Sequence, residues 1–176
     1  KQLAAVLRSM SRAWEGTTAR LLRQARGAPA DAGLGLVVQA MAIGVGRGEC
    51  GSGVIQFASS DTGLPEIHGR YLRQSQGREA LDRQVGSLYL TKDPRGPSFE
   101  ETCPEAFTQL LDYSVLARKR LREEMQIEFT LESGKLAILD AVRIVRSSSA
   151  AVHIAVDLAR DGIILREDAL MRVDPK

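Results

Sequence analysis

The chain has 176 residues, 44% of them apolar and 26% charged, with a formal net charge of +2. That is enough for one globular domain with a sizeable core, or for two small subdomains. So small a net charge, without a standout lysine- or arginine-rich run, gives no footing for a nucleic-acid binder. No apolar stretch reaches the ~18 residues of a membrane span, and no signal-peptide pattern opens the chain. Cys50 and Cys103 lack Cys-x-x-Cys spacing, which leaves zinc and redox motifs unsupported and makes two reduced thiols in a cytoplasmic protein the expectation. Lys1 leads straight into a helical pattern with no initiator Met, as expected of a piece of a longer polypeptide.

Leu3, Val6, Leu7 and Met10 recur at helical spacing and predict a helix over 2–11. A second helix is expected over 12–25, ended by Gly27-Ala28-Pro29. Leu34 to Ile43 and Gly51 to Phe57 are apolar runs of strand length, joined by the glycine-rich stretch 44–48. Because that stretch joins two predicted strands rather than opening a helix, it reads as a flexible hairpin loop rather than a phosphate cradle. Residues 59–63 form a turn, and Glu66 to Gln74 a further strand with Gly69 inside it, a residue that often marks close backbone approach. Residues 86–98 read as a long loop.

Thr102-Cys103-Pro104-Glu105 has the pattern of a capping box, with proline in the first turn. It is expected to start a helix of about five turns with Phe107, Leu110, Leu111, Leu121 and Met125 as its buried stripe. On that helix Arg118-Lys119-Arg120 and Arg122, followed at once by Glu123 and Glu124, read as a solvated face. A serine among 147–149 is expected to cap the next helix, with Val152, Ala155, Val156 and Ala159 toward the core and Gly162 at its end. His153 lies on this helix with no second ligand or nucleophile near it in the sequence, and reads as structural. A short last helix spans 166–172. The sum is an α+β domain with a mostly antiparallel sheet and helices packed on one side.

The stretch from Gln126 to Asp140 carries the most chemistry. Ile127, Phe129 and Leu131 alternate with Gln126, Glu128 and Thr130, the period-2 pattern of a half-buried strand. Glu132-Ser133-Gly134 signals a turn, and Leu136 to Leu139 the returning strand. With an odd number of loop residues, Glu128 and Asp140 would share a face as a carboxylate pair. Such a pair suits a divalent cation; the same spacing also fits two solvated charges.

Several segments together resemble the pyruvate phosphate dikinase and phosphoenolpyruvate synthase family, in the later part of its ATP-grasp nucleotide-binding domain. Val38-Gln39-Ala40-Met41 resembles the strand lining the adenine pocket, and Gly51-Ser52-Gly53-Val54 the family's Gly-Thr-Gly-Val strand. Thr62-Gly63 is similar to the turn after that strand. Gln76-Gly77 resembles the centre of a segment reading Asn-Ala-Gln-Gly-Glu-Asp. The hairpin 126–139 resembles the family's metal-binding hairpin. The tail, 154–163 followed by Glu167-Asp168-Ala169 and Arg172-Val173-Asp174-Pro175, is similar to the segment that ends the domain. The resemblance runs the length of the chain in one order, and implies that 1–176 is part of an ATP-grasp-like domain of a longer chain.

It further implies ATP and magnesium as cofactors, with Gln39, Ala40, Met41, Gln76 and Gly77 at the nucleotide and Glu128 and Asp140 at the metal. The implied parent is a phosphotransferase in which a histidine on a separate swivelling domain takes a phosphoryl group from the nucleotide, feeding the interconversion of pyruvate and phosphoenolpyruvate. No catalytic residue of that scheme lies in this chain. The partners implied are the nucleotide and that phosphohistidine domain, with neither nucleic acid nor membrane, and a homodimer is compatible.

Five positions depart from the family pattern. Asp140 and Val142 stand where the family has glutamine and arginine, and 57–60 replaces a Thr-Arg-Asn-Pro motif. Arg70 and Arg78 stand where the family has glutamates. An arginine ~4 Å from a metal site costs roughly 4 kcal/mol per unit charge at an effective dielectric of ~20. Two readings follow: a working nucleotide-binding segment, or a degenerate ATP-grasp domain kept for binding, regulation or assembly.

Overall fold

Helical spacing of apolar residues produces two helices at the start of the chain, α1 (Gln2–Glu15) and α2 (Thr17–Ala25), broken at Gly16, where the backbone turns extended. The break falls at the glycine, a poor helix former, four residues later than the sequence suggested. The computed structural model describes residues 1–29, 31–76 and 86–173. It divides into two units, 1–40 and 41–176. In the first, Arg23 stacks over the Trp14 ring at 4.0 Å and the Trp14 indole donates to the Ala32 carbonyl at 3.0 Å. No residue of either helix is buried.

The second unit is built on a four-stranded antiparallel sheet of order β2-β1-β3-β4, with β1 Gly51–Ala58, β2 Pro65–Arg73, β3 Met125–Glu132 and β4 Lys135–Arg143. Odd positions of β3 (Met125, Ile127, Phe129 and Leu131) enter a buried cluster with Ile55, Tyr71 and Phe99. The same cluster takes Phe107 and Leu110 from α4 (Pro104–Leu121), which covers that face. Tyr71 and Phe129 stack with planes 8° apart and centroids 6.1 Å apart. They fit because β1 carries glycine on this face: a Cβ on Gly53 would lie 2.4 Å from the Phe129 ring, and one on Gly51 2.6 Å from the Tyr71 ring. The Tyr71 hydroxyl donates to Glu49 Oε1 at 3.1 Å. Burial, and then the Glu49 charge and hydrogen bond, push this phenol upward, so it stays protonated.

Gly69 is the close approach its place in the strand suggested. Its φ is +145°, and a Cβ there would sit 2.0 Å from the Val54 carbonyl oxygen. Leu88 hydrogen-bonds both ways with Tyr71 (2.7 and 3.2 Å), so the expected loop after residue 86 adds a bridge beside β2.

Three sequence expectations change here. The 34–43 run is not a strand: among the described residues it pairs with no strand, and a ladder needs a partner. The side-chain cap expected at Thr102 lies instead at Ser98, one short helix earlier. Ser98 Oγ accepts from the Glu101 amide at 3.2 Å and donates to Glu101 Oε2 at 2.7 Å, starting α3 (Phe99–Thr102), whereas α4 begins after Cys103 without a side-chain cap. In the α4 stripe, Leu121 is exposed and Met125 belongs to β3, because Arg122 in the left-handed region (φ 57°) ends the helix between them.

The charged segment after α4 is not a solvated face throughout. Glu123 and Glu124 are buried. Glu123 receives Arg146 and Arg143, each at 2.7 Å, and Arg172 at 3.5 Å. Arg118 pairs with Glu124, and with Asp161 at 2.8 Å. These pairs fasten the start of β3 to helices α5 (Ser148–Arg160) and α6 (Arg166–Met171). Ser147 Oγ caps α5 by accepting from the Ala150 amide at 3.0 Å. Beneath α5, Ala150, Ile154 and Leu158 form a second buried cluster with Ala58, Ile144 and Ile164. His153 is tied down, its Nδ1–H donating to the Thr62 carbonyl at 2.5 Å.

Burial tends to raise the Glu123 pKa, but hydrogen bonds from Arg146 and the Glu124 amide, with the charges of Arg146 and Arg143, outweigh it and hold the carboxyl below its ordinary 4.5. Its contribution to stability is therefore complete above the ordinary value and lost as pH falls through the lower, folded one. Glu123→Gln leaves the Arg146 guanidinium buried without its counter-charge. It is expected to cost about 3 kcal/mol in urea unfolding at neutral pH, with a shallower loss of stability on acidification than in the unsubstituted chain. Gly69→Ala is expected to cost at least about 2 kcal/mol in the same measurement, because the new Cβ must push β1 and β2 apart.

Candidate functional site

The odd positions of β3 are buried, so its even positions, with their cross-strand partners, point to the opposite face. Cross-strand partners share a face, and the register therefore lays out rows there. Leu72, Ser52, Thr130 and Ala137 form one row; Arg70, Val54, Glu128 and Asp140 form the next; His68 pairs with Gln56 beyond it. The buried Ser52 and Thr130 hydroxyls satisfy each other at 2.9 Å. Toward the β2 edge a cavity of about 760 Å3 is lined by Gln56, His68, Arg70, Gln126, the turn at 59–61 and Tyr89.

The hairpin brings Glu128 and Asp140 together by a route the sequence did not show. Its loop has two residues, Ser133 and Gly134, both at positive φ (50° and 80°), as a type I′ turn requires. A two-residue loop alone would set Leu139 opposite Glu128. The register shifts by one between Glu128 and Phe129, leaving Leu139 as the extra residue of a bulge, and Asp140 stands directly opposite Glu128. The Asp140 Oδ1 accepts from the Ala141 amide at 2.8 Å. Among the described residues no group of three or more His, Cys, Asp or Glu side chains is placed to hold a metal ion. Two facing carboxylates still fit magnesium, which takes one or two protein carboxylates and fills its other positions with water and phosphate oxygens.

Gln39 and Ala40 close the first unit and Met41 opens the second, and all three are exposed. Gln76 uses its side-chain amide on the backbone, accepting from the Gly44 amide at 2.6 Å and donating to the Ala42 carbonyl at 3.1 Å. Gly77 and Arg78 lie outside the described residues. Arg143 and Arg146, the cations nearest the departed arginine position, are committed to Glu123, and Arg143 pairs in register with core-facing Met125.

Several residues of this region were not singled out from the sequence. Gln74, at φ 50°, grips both polar groups of the Gly46 backbone (3.0 and 3.1 Å), and Glu132 Oε2 accepts from the Ile43 amide at 3.3 Å. The glycine-rich stretch is thus held by side chains rather than left loose. His68 and Gln56 are also new, and alternation along β2, with Glu66, His68 and Arg70 at even positions, was the signal that could have revealed His68.

No family model matches the chain. Its sequence is similar to curated pyruvate, phosphate dikinases. It is 30% identical to that of Clostridium symbiosum over 175 residues, covering 99% of this chain and 19% of that protein. To that of Rhizobium meliloti (strain 1021) it is 31% identical over 180 residues, covering 99% and 20%. To the chloroplastic enzyme of Flaveria trinervia it is 27% identical over 175 residues, covering 99% and 18%. The chain is therefore a pyruvate, phosphate dikinase-like sequence, related along its whole length to about one fifth of the length of those proteins.

Proposed function

We propose that this chain forms part of an ATP-grasp-type nucleotide site, with the polar face of its sheet as the floor on which ATP and magnesium are held. The observation that carries the reading is the facing pair Glu128 and Asp140, set by the Leu139 bulge on the sheet's polar side. A bound magnesium ion would supply charge neutralisation at the phosphates. The two carboxylates offer the hard oxygen donors it prefers and fix its position relative to the sheet. Arg70 and His68 line the adjoining cavity with side chains of a type that donates hydrogen bonds to an anionic ligand, and Gln56 beside them donates to the Ala58 carbonyl and Ser60 Oγ. Chemistry of this kind is mainly positioning and charge stabilisation, which a rigid sheet supplies well. In the longer protein the nucleotide's phosphoryl group would pass to a histidine on another domain.

A second reading, a domain that keeps the scaffold but has lost metal-dependent catalysis, draws on Arg70. It shares a row with Glu128, and Arg143 and Arg146 are directed to Glu123 instead of this face. Distance weakens that objection. Arg70 and Glu128 are two strand spacings apart, roughly 10 Å at the Cα atoms. For charges at about that separation, an effective dielectric of ~20 makes the repulsion roughly 1.7 kcal/mol per unit charge, about two-fifths of its value at ~4 Å. Two facing carboxylates can offset that.

Calorimetric titration of the full-length protein with ATP, with and without magnesium, separates the readings. Magnesium-dependent binding in the micromolar range is expected, weakened about tenfold or more by Glu128→Gln. Absence of binding at millimolar ATP would sink the catalytic reading, and binding indifferent to magnesium would favour the second.

A further inference from the structure

The sequence pattern of α5 asks for more burial than the described fold gives it. Val152, Ala155, Val156 and Ala159 recur at core spacing, yet the helix buries Ala150, Ile154, Ala155 and Leu158, and leaves Val152 and Val156 exposed. Both valines line a groove of about 710 Å3 between α5 and α6, together with Leu170, which is 77% exposed. The small side chains Ala155, Ala159 and Ala169 line it as well. Alanines beside valine and leucine make a trough that another helix can approach closely.

The charge of the groove is one-sided. Arg160 and Arg166 line it, and among the described residues no carboxylate does. Arg160 is paired with Asp157 at 2.9 Å, but Asp157 does not line the groove. Arg166 makes no ion pair with any described residue, and Asp168, two residues on, is taken by Arg122 at 2.6 Å. We infer that the α5–α6 groove is a docking surface for an acidic amphipathic helix, one that lays an aliphatic stripe against Val152, Val156 and Leu170 and sets carboxylates beside Arg160 and Arg166. Charge decides against a second copy of this chain as occupant. A two-fold face-to-face pairing would bring the arginines of one copy onto those of the other.

The test uses two synthetic helical peptides with leucines at i, i+4 and i+7, flanked in one by glutamates and in the other by lysines. Binding to the full chain is read by fluorescence anisotropy. The glutamate peptide is expected to bind at least about tenfold more tightly than the lysine peptide. Arg166→Glu is expected to abolish or invert that preference, and Leu170→Glu to weaken the glutamate peptide about tenfold or more. Both side chains are exposed, so neither substitution removes core packing. Equal binding of the two peptides, binding of neither, or an unchanged preference in Arg166→Glu would overturn the proposal. So would a concentration-dependent dimer in sedimentation that Leu170→Glu dissolves, since it would give the groove to a second copy.

Discussion

The contact on which the rest of the second unit depends is that of the Phe129 and Tyr71 rings against the side-chain-free stretch of β1. Glycine at 51 and 53 leaves room for both rings, and any Cβ there would collide with them. Burying a large side chain of this kind contributes roughly 1.5–3 kcal/mol, and Phe99 joins both rings at 4.5 and 5.3 Å. The effect on parity matters more. With Phe129 committed inward, Gln126, Glu128 and Thr130 must face outward, and every partner in register follows. A shift of one residue would send the aromatic rings to solvent and the carboxylates into the core, which is why the register is firmly set.

Charge is divided between the two sides of the hairpin with little overlap. Arg143 and Arg146 lie near Asp140 in sequence, yet both serve Glu123, a buried carboxylate whose desolvation they offset. Both are therefore engaged on the other side of the hairpin and not on the polar face. What the polar face retains is a carboxylate pair next to a cavity whose lining mixes Arg70 and His68 with Glu66 and Asp61. Such a mixed surface suits an anion accompanied by a cation better than either ion alone.

Much of this was legible in the sequence, and the failures are instructive. Period-2 alternation located β3, and the glycine inside β2 announced a close approach. Both signals are local and survive without knowledge of neighbours. The Glu128–Asp140 pairing was reached through an odd loop, whereas the structure uses an even loop and a bulge at Leu139; no local feature of Ile138-Leu139-Asp140 distinguishes a bulged residue from a paired one. The strand expected over 34–43 rested on propensity alone, and propensity cannot supply the neighbouring strand that a ladder requires. The cap at Ser98 was missed because Thr102 and Glu105 offered the same i, i+3 spacing at the start of the longer helix.

The unmet expectation on α5 is of another kind. Its apolar positions wrap more than half of the helix, enough for two interfaces: one filled by Ile144 and Ile164, the other open between α5 and α6. A helix exposed to water on that second side would gain nothing from Val152 and Val156, since valine lowers helix propensity. Their presence makes sense when the side is covered, and the arginines beside it, not the apolar area, specify by what. Affinity at such a surface would come from the aliphatic contacts, and discrimination among helices from the charge.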